Sequence, residues 1–518
     1  MKRMTGWMCL ALVLALSGGA WAELQNVEVG GEVKIRGRYW NNSWSGVAFN
    51  PFNPALVRGR AVGPFGVRSF YDWDDAGNDR SYVEQRTSLS VKADFTGEVA
   101  TFIELHDFAV WGEDFRSVNY VAGLDTRANS VDDVEVYQAY IEACNMWGVP
   151  LRMRVGRQDL VMGEGWLVGN KVSPILARSF DALRLTYTHD LFEVDAFAAK
   201  LAESFSDFGQ DDVDLYGLYA NYTAMEVEDI ALFWYWLRDD SDLDDSPGSG
   251  FLTEWLEDVS GVNDYGDTNI HTVGMRVNGA ARGFDWDAKV AYQFGDAGHL
   301  GQGFTVFGGY GDDDADYDYW AFDAEAGYSF DCKWSPRVYL GGAWYEGEDN
   351  RDMNFWQWLN PFRRPEASGA FNRLFSDYWY TATTDILGGA SAFSNFWQVR
   401  GGISVKPTEC FSTGLKAGYF WADETFDMPI IYDLGLFSVG NPFPFATQEA
   451  DDELGAVATW WFRYDYSDDL YFTGGWERFF SADGITDGNF VYKNGLEFSG
   501  GTSDRDGDYF WIITGVKF

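Results

Sequence analysis

Eighty Asp and Glu against 38 Lys and Arg give this 518-residue chain a formal net charge of -42, and 18% of its residues are aromatic, with 24 Trp, 58 Gly and only 13 Pro. A chain this long normally divides into several soluble domains, but no Pro/Ser-rich linker and no shift in composition divides it, which suits one large unit. No segment offers about 18 uncharged apolar residues in a row, so helical membrane spans are excluded, and no basic tract, phosphate loop or Cys/His metal spacing points to nucleic acid, a metal or a cofactor.

Residues 1–22 read as a secretory signal peptide: Lys2 and Arg3 at the start, an apolar core from Met8 to Leu16, and Ala20-Trp21-Ala22 as a small-x-small cleavage site. Cys9 sits in that core without a lipoprotein-type context, so no lipid attachment is expected there. The mature chain, 23–518, then repeats one unit: strand, long polar loop, strand, tight turn. Strands are predicted near 25–40, 81–95, 98–109, 132–143, 150–158, 179–189, 192–203, 212–224 and 230–239. They continue near 269–279, 284–298, 316–330, 336–349, 395–407, 411–424, 453–467, 470–482 and 508–518. That makes eighteen, an even number with both termini on the periplasmic side, as a single-chain barrel of the bacterial outer membrane requires.

The faces of these strands support a membrane barrel over a soluble β-sandwich or propeller. On the second strand Val83, Gln85, Thr87, Leu89, Val91, Ala93 and Phe95 alternate with Glu84, Arg86, Ser88, Ser90, Lys92 and Asp94. The last strand sets Phe510, Ile512, Thr514, Val516 and Phe518 against Tyr509, Trp511, Ile513, Gly515 and Lys517. A period of two is what a strand between lipid and a wet lumen needs, and a last strand that ends on an aromatic residue resembles the terminal signal of bacterial outer-membrane barrels. Trp and Tyr in this abundance fit the aromatic girdles of the two interfaces, and a mean hydropathy of -0.26 is no objection when half of each strand faces water. The predicted fold is therefore an all-β transmembrane antiparallel barrel of about eighteen strands, with long extracellular loops and short periplasmic turns. Cys144, Cys332 and Cys410 fall in short turns and read as isolated residues, not as a disulfide framework.

Charge is divided between loops and strands. Carboxylates crowd the loops, as at Asp239, Asp240, Asp242, Asp244 and Asp245, and from Asp312 to Asp318. The last of these and Asp504–Asp508 approach calcium-loop spacing without the closing glutamate, so they read as solvated loops. Basic residues recur on the strand face opposite the apolar one: Lys34, Arg36, Arg38, Arg86, Lys92, Arg152, Arg154, Arg184, Arg276, Lys289, Arg400, Lys406, Lys416, Arg463 and Lys517. Glu28, Glu32, Glu84, Glu104, Asp285 and Asp287 share that parity. Two readings stand: cross-strand pairing that fills the interior, or rings of Arg and Lys that guide an anionic solute. Like charges at i, i+2 in Lys34, Arg36, Arg38 and in Arg152, Arg154 favour the second.

From Tyr137-Gln138-Ala139-Tyr140 the chain turns into Leu151-Arg-Met-Arg-Val-Gly156-Arg157-Gln158, then passes Gly163, Gly165 and Asn170 before Arg178-Ser179-Phe180-Asp181-Ala182-Leu183-Arg184. This succession resembles the alginate export family of outer-membrane proteins. The resemblance implies an eighteen-stranded monomeric barrel, an electropositive channel for an acidic polysaccharide, and periplasmic export proteins that deliver it. It also implies Arg152, Arg154, Arg157, Arg178, Asp181 and Arg184 as a channel-lining network, although parity turns Arg157 outward unless a bulge intervenes or it lies above the bilayer. The alternative reading of the motif is a strand–loop–strand device in which Arg178 and Asp181 pin a folded loop.

Loops 41–80 and 350–394 exceed ordinary connections. The first holds Arg58, Arg60 and Arg68; the second holds Trp356, Trp358, Arg363, Arg364, Arg373, Trp379 and Tyr380. Folded inward, either would narrow a pore; packed over the mouth, their aromatics would cover it. Of the histidines His106, His189, His271 and His299, only His106 and His299 suit a rim catalyst, and no Gly-x-Ser-x-Gly motif accompanies them, so an enzyme is not expected. The expected contacts are outer-membrane lipid and lipopolysaccharide, the barrel-assembly machinery, and an anionic polysaccharide or small anionic solute. A general or sugar-selective porin is the alternative, and a structural or adhesive envelope barrel the more distant one.

Overall fold

The computed structural model describes residues 23–41, 79–111, 134–203, 212–223, 228–240, 267–297, 316–348, 369–382, 393–425, 451–486 and 506–518, with short pieces of the loops between them. The signal-peptide reading of 1–22, Arg58 and Arg68 of the first long loop, Trp358, Arg363 and Arg364 of the second, and His299 lie outside the described residues.

Eighteen strands close into one antiparallel barrel. In chain order they are β1 (Leu24–Asn41), β2 (Arg80–Phe95), β3 (Val99–Val110), β4 (Glu135–Ala143), β5 (Leu151–Gln158) and β6 (Phe180–His189). Next come β7 (Phe192–Ala202), β8 (Val213–Tyr222), β9 (Glu228–Asp239), β10 (Thr268–Ala281), β11 (Phe284–Ala297) and β12 (Asp316–Ser329). The last are β13 (Arg337–Tyr345), β14 (Phe396–Thr408), β15 (Phe411–Ala422), β16 (Glu453–Asp465), β17 (Leu470–Ser481) and β18 (Gly507–Lys517). Each strand pairs with its chain neighbours, and β18 returns to β1, with Lys34 opposite Gly515 and Arg38 opposite Trp511. Closure leaves no strand edge whose N–H and C=O groups would face hydrocarbon unpaired.

Alternate connections are short, and their chemistry is local. Ala281 pairs with Phe284, so Arg282 (φ 53°) and Gly283 (φ 87°) form a two-residue connection of type I′, which continues the strand twist. Cys144, Cys332 and Cys410 are free thiols within such connections. The start of β1 and the end of β18 lie at this end, Leu24 opposite Phe95 and Val516 opposite Leu470.

The outer face is apolar: Val29, Leu340, Leu415 and Ile512 are each more than half exposed on it. Toward the loop end an aromatic belt runs across strands. Trp236 stacks on His271 at 5.3 Å and His271 on Phe294 at 5.2 Å, while Tyr292 meets Trp320 at 4.7 Å. Trp344 and Trp397 both donate their indole N–H to Asp423, at 2.7 and 2.6 Å. Near the turns, Phe284, Tyr328 and Phe330 form the matching patch.

The core lies inside the barrel and is built by loops. Leu160, Met162, Trp166, Leu167 and Val168, from the connection between β5 and β6, are buried against Phe233, Tyr235 and Tyr345 of the wall. Phe371, Leu374 and Tyr380, from the connection between β13 and β14, join them. Residues 159–179 thus enter the lumen beside 369–382, a part of the second long loop.

The seam depends on Gly31. Its N–H and C=O exchange hydrogen bonds with Phe518, at 3.0 and 3.1 Å. A Cβ there would lie 2.5 Å from the Phe518 ring and 2.6 Å from the Ser88 carbonyl oxygen. Gly31→Val should destabilise the barrel by about 1–3 kcal/mol, the usual cost of overpacking. Loss of the compact electrophoretic band at a lower temperature than wild type would register it.

Candidate functional site

Three pairs of cations face each other directly across neighbouring strands inside the barrel: Lys34 and Arg86, Arg154 and Arg184, and Arg276 and Lys289. Like charges in that relation repel, and at each pair carboxylates stand alongside. Lys34 reaches Glu32 at 3.3 Å, and Arg86 lies 3.8 Å from Glu104. Glu142 accepts from Arg154 at 2.7 Å, and Asp195 accepts from Arg184 at 2.8 Å and from Thr186 at 2.5 Å. Asp287 takes Arg276 at 2.8 Å and Lys289 at 2.5 Å.

The third pair belongs to a longer series on β10–β14. Lys289 lies 3.6 Å from Asp323, which accepts from Arg400 at 2.9 and 3.1 Å. Arg400 approaches Glu325 at 3.5 Å, and Glu325 accepts from Arg337 at 3.0 Å. Arg337 also binds Asp285. Cations and carboxylates therefore alternate around this wall, beside a cavity of about 620 Å³.

The remaining predicted lining residues divide by environment. Arg36 and Arg38 both bind Glu84 at 2.7 Å, and Arg36 is only 1% exposed, too deep to meet a solute. Arg463 lies over Tyr471 at 4.6 Å and donates to Asp465 at 2.9 Å. Arg152 contacts Thr186 at 3.4 Å and, among the described residues, has no carboxylate within ion-pair distance. Arg178 leaves the wall altogether: it donates to the Lys171 carbonyl at 2.9 Å and covers Phe375, pinning the inner loop, and burial lowers its pKa.

Arg157 and Asp181 are a correction to the channel-lining expectation. No bulge turns Arg157 inward; it pairs in register with Asp181 and shares the outward parity of Val155 and Leu183. The two form a bidentate ion pair at 2.8 and 2.9 Å on the outer surface, near the loop end of the strands. They begin a row in which successive strands carry Arg157, Asp181, Lys200, Asp214 and Arg238 at one register level. Lys200 meets Asp214 at 2.9 Å.

The inner loop presents one group that the sequence reading missed. Gly163 (φ 59°) and Gly165 (φ 77°) flank Glu164. A Cβ at 163 would lie 2.6 Å from the Tyr219 hydroxyl and at 165 2.8 Å from Asp377, so both positions need glycine for conformation and for space. Glu164 binds Arg276 at 2.6 Å, approaches Lys289 at 3.9 Å and accepts from the Tyr378 hydroxyl at 2.6 Å. Burial and that carboxylate push the Tyr378 pKa well up, so the hydroxyl stays a donor.

The two loops hold one another. Val168 bridges to Phe375, and Asp377 accepts the Lys171 N–H at 2.7 Å, although burial raises its carboxyl pKa. Arg373, fully buried, lies 4.8 Å over Tyr345 and 5.1 Å over Tyr380 and donates to the Phe393 carbonyl at 3.0 Å. Trp166 donates to Tyr345, Tyr345 meets Tyr380, and Tyr380 donates to Asp323, each at 2.8 Å. This relay ties loop to wall. Asp323 and Tyr378 also escaped the sequence reading; Asp323 sits among Tyr317, Tyr319 and Ala321 on a strand whose two faces look equally apolar.

His106 stacks edge-on against Tyr137 at 5.3 Å, and among the described residues no group of three His, Cys, Asp or Glu is arranged to hold a metal. Glu84→Ala, which leaves two arginines without their shared carboxylate, should destabilise the barrel by about 3–5 kcal/mol. Arg157→Ala, on the outer surface, should cost less than about 1 kcal/mol. Denaturant unfolding followed by tryptophan fluorescence would separate the two.

Among solved structures, the chain is similar to OccAB4 of Acinetobacter baumannii at 11% identity, covering 95% of this chain and 98% of that one with a TM-score of 0.48. It is similar to OccD3 (OpdP) of Pseudomonas aeruginosa at 12% identity, 96% and 93% coverage and a TM-score of 0.46. OpdL of Pseudomonas aeruginosa stands at 9% identity, 95% and 99% coverage and 0.48. No curated protein matches the sequence. The family model for alginate export matches residues 73–430, well over half of the chain. A closed eighteen-stranded barrel with an apolar outside and a charged, loop-narrowed inside, matched over that span, is an outer-membrane channel, and the chain belongs to the alginate export family.

Proposed function

We propose that this channel passes an anionic, carboxylate-bearing polysaccharide, guiding it by electrostatics without chemistry on the solute. The observation that carries the reading is the recurrence of cation pairs across neighbouring strands of the lumen: Lys34 with Arg86, Arg154 with Arg184, Arg276 with Lys289. Barrel stability alone favours opposite charges at those positions. A polymer with a carboxylate on every residue offers each pair a partner in turn, so charge is handed from site to site. On this reading periplasmic export proteins deliver the polymer at the turn end, and the barrel-assembly machinery inserts the protein.

A second reading, a general or sugar-selective porin, draws on the same ion pairs. Glu142, Asp195, Asp287 and Asp323 offset most of the cations beside them, which weakens any net preference for anions.

Single-channel conductance in a planar bilayer under a salt gradient, followed by added oligouronate, distinguishes the two. The first reading expects anion-selective current blocked by oligouronate and not by a neutral oligosaccharide; weakly selective current indifferent to both sugars would establish the porin. Replacing Arg152 and Arg154 by Glu should lower the anion-to-cation permeability ratio by about fivefold or more, the effect of roughly 1 kcal/mol per ion. Arg157→Glu should leave that ratio unchanged. Unaltered selectivity in the double variant would remove Arg152 and Arg154 from the conducting path.

A further inference from the structure

The carboxylates that neutralise the Arg276–Arg400 wall differ in how they are held. Asp287 and Asp323 belong to the strands themselves, and Asp323 is 1% exposed, fixed by Arg400 and by the Tyr380 hydroxyl. Neither can leave without breaking the wall. Glu164 comes from a loop, its side chain is half exposed, and it projects between two glycines toward the same cations. It also borders the open cavity next to Arg276, Lys289 and Tyr378.

Its contacts are those a solute carboxylate would make. One oxygen takes the Arg276 guanidinium at 2.6 Å; the other takes the Tyr378 hydroxyl at 2.6 Å and lies 3.9 Å from Lys289. Arg276 and Lys289 keep Asp287 when Glu164 withdraws, so they are never left without a counter-charge. An exchange of one carboxylate for another conserves both charge and hydrogen bonds, which makes it cheap in either direction. Conduction needs sites that bind well enough to admit a solute and weakly enough to release it.

We propose that Arg276, Lys289 and Tyr378 form a subsite for a carboxylate of the passing solute, and that Glu164 is its built-in occupant, displaced as the solute enters and returning behind it. This rests on the anionic-polysaccharide reading above. Glu164 acts as a competitor tethered at the site: it lowers the standing affinity for the polymer and expels each bound carboxylate by reoccupying its place. Specificity follows, because a neutral sugar has nothing to exchange with it.

The test uses the full-length channel in planar bilayers, with block by a short oligouronate titrated for wild type and for Glu164→Gln, and a neutral oligosaccharide of equal length run alongside. The variant should be blocked at about tenfold lower oligouronate concentration, equivalent to about 1.4 kcal/mol, with the neutral sugar unchanged. Glu164→Asp, which keeps the charge on a shorter arm, should fall between the two and carries the test if the Gln variant gives no channels. Equal block of wild type and variant by oligouronate overturns the placeholder while leaving the anionic reading standing. An equal shift for both sugars also overturns it, since it would mean that the loop had simply moved. No block of either protein overturns the anionic reading and this inference together, whereas block of the variant alone supports both.

Discussion

A charge that faces the inside of a barrel loses part of its water and stays ionised at tolerable cost only beside an opposite charge. The rest of this lumen follows from that requirement. The partner comes from a neighbouring strand or from the next inward position: Glu84 serves Arg36 and Arg38, Asp287 serves Arg276 and Lys289, and Asp323 joins Lys289 to Arg400. The wall is thus a series of shared carboxylates and not a uniformly positive tube. On the anionic reading proposed above, selectivity in such a wall would arise where pairing is incomplete among the described residues, as at Arg152, or exchangeable, as proposed for Glu164.

Narrowing of the lumen has a different origin. It comes from two loops whose apolar residues find cover only inside the barrel, and whose polar backbone is satisfied there by named partners. Arg373 shows the principle: its guanidinium lies against the rings of both Tyr345 and Tyr380, and it serves the carbonyl oxygens of a loop that has no sheet to bond with. A planar, multiply donating cation can do this in a space where a lysine could not.

The strands were legible because their information is local. Alternation along 81–95 or 508–518 needs no knowledge of the neighbour, and all eighteen predicted segments coincide with β1–β18 to within a few residues. The faces followed from the same parity, which already turned Arg157 outward. The inner loop was not legible: Leu160, Met162, Trp166, Leu167 and Val168 have no period, and their partners lie on strands far along the chain. Repulsion among Lys34, Arg36 and Arg38 could be read from spacing, but its relief by Glu84 is a cross-strand event that spacing does not contain. Glu164 shows the same limit, since Gly163 and Gly165 announce a special backbone without saying what the side chain between them will touch.

The outer row from Arg157 to Arg238 sets a physical dimension. Charges at that level belong among lipid head groups, so hydrocarbon begins below them. On β6 the stretch from Asp181 to His189 covers the whole wall beneath the row. At about 3.3 Å per residue and a tilt near 40°, it rises roughly 20 Å. That flank is matched to a thin bilayer, and the bacterial outer membrane is thinner than average. In a thicker membrane the lipid would have to compress around β5–β9 to keep five ionised side chains wet, so this side of the barrel would act as a point of local thinning.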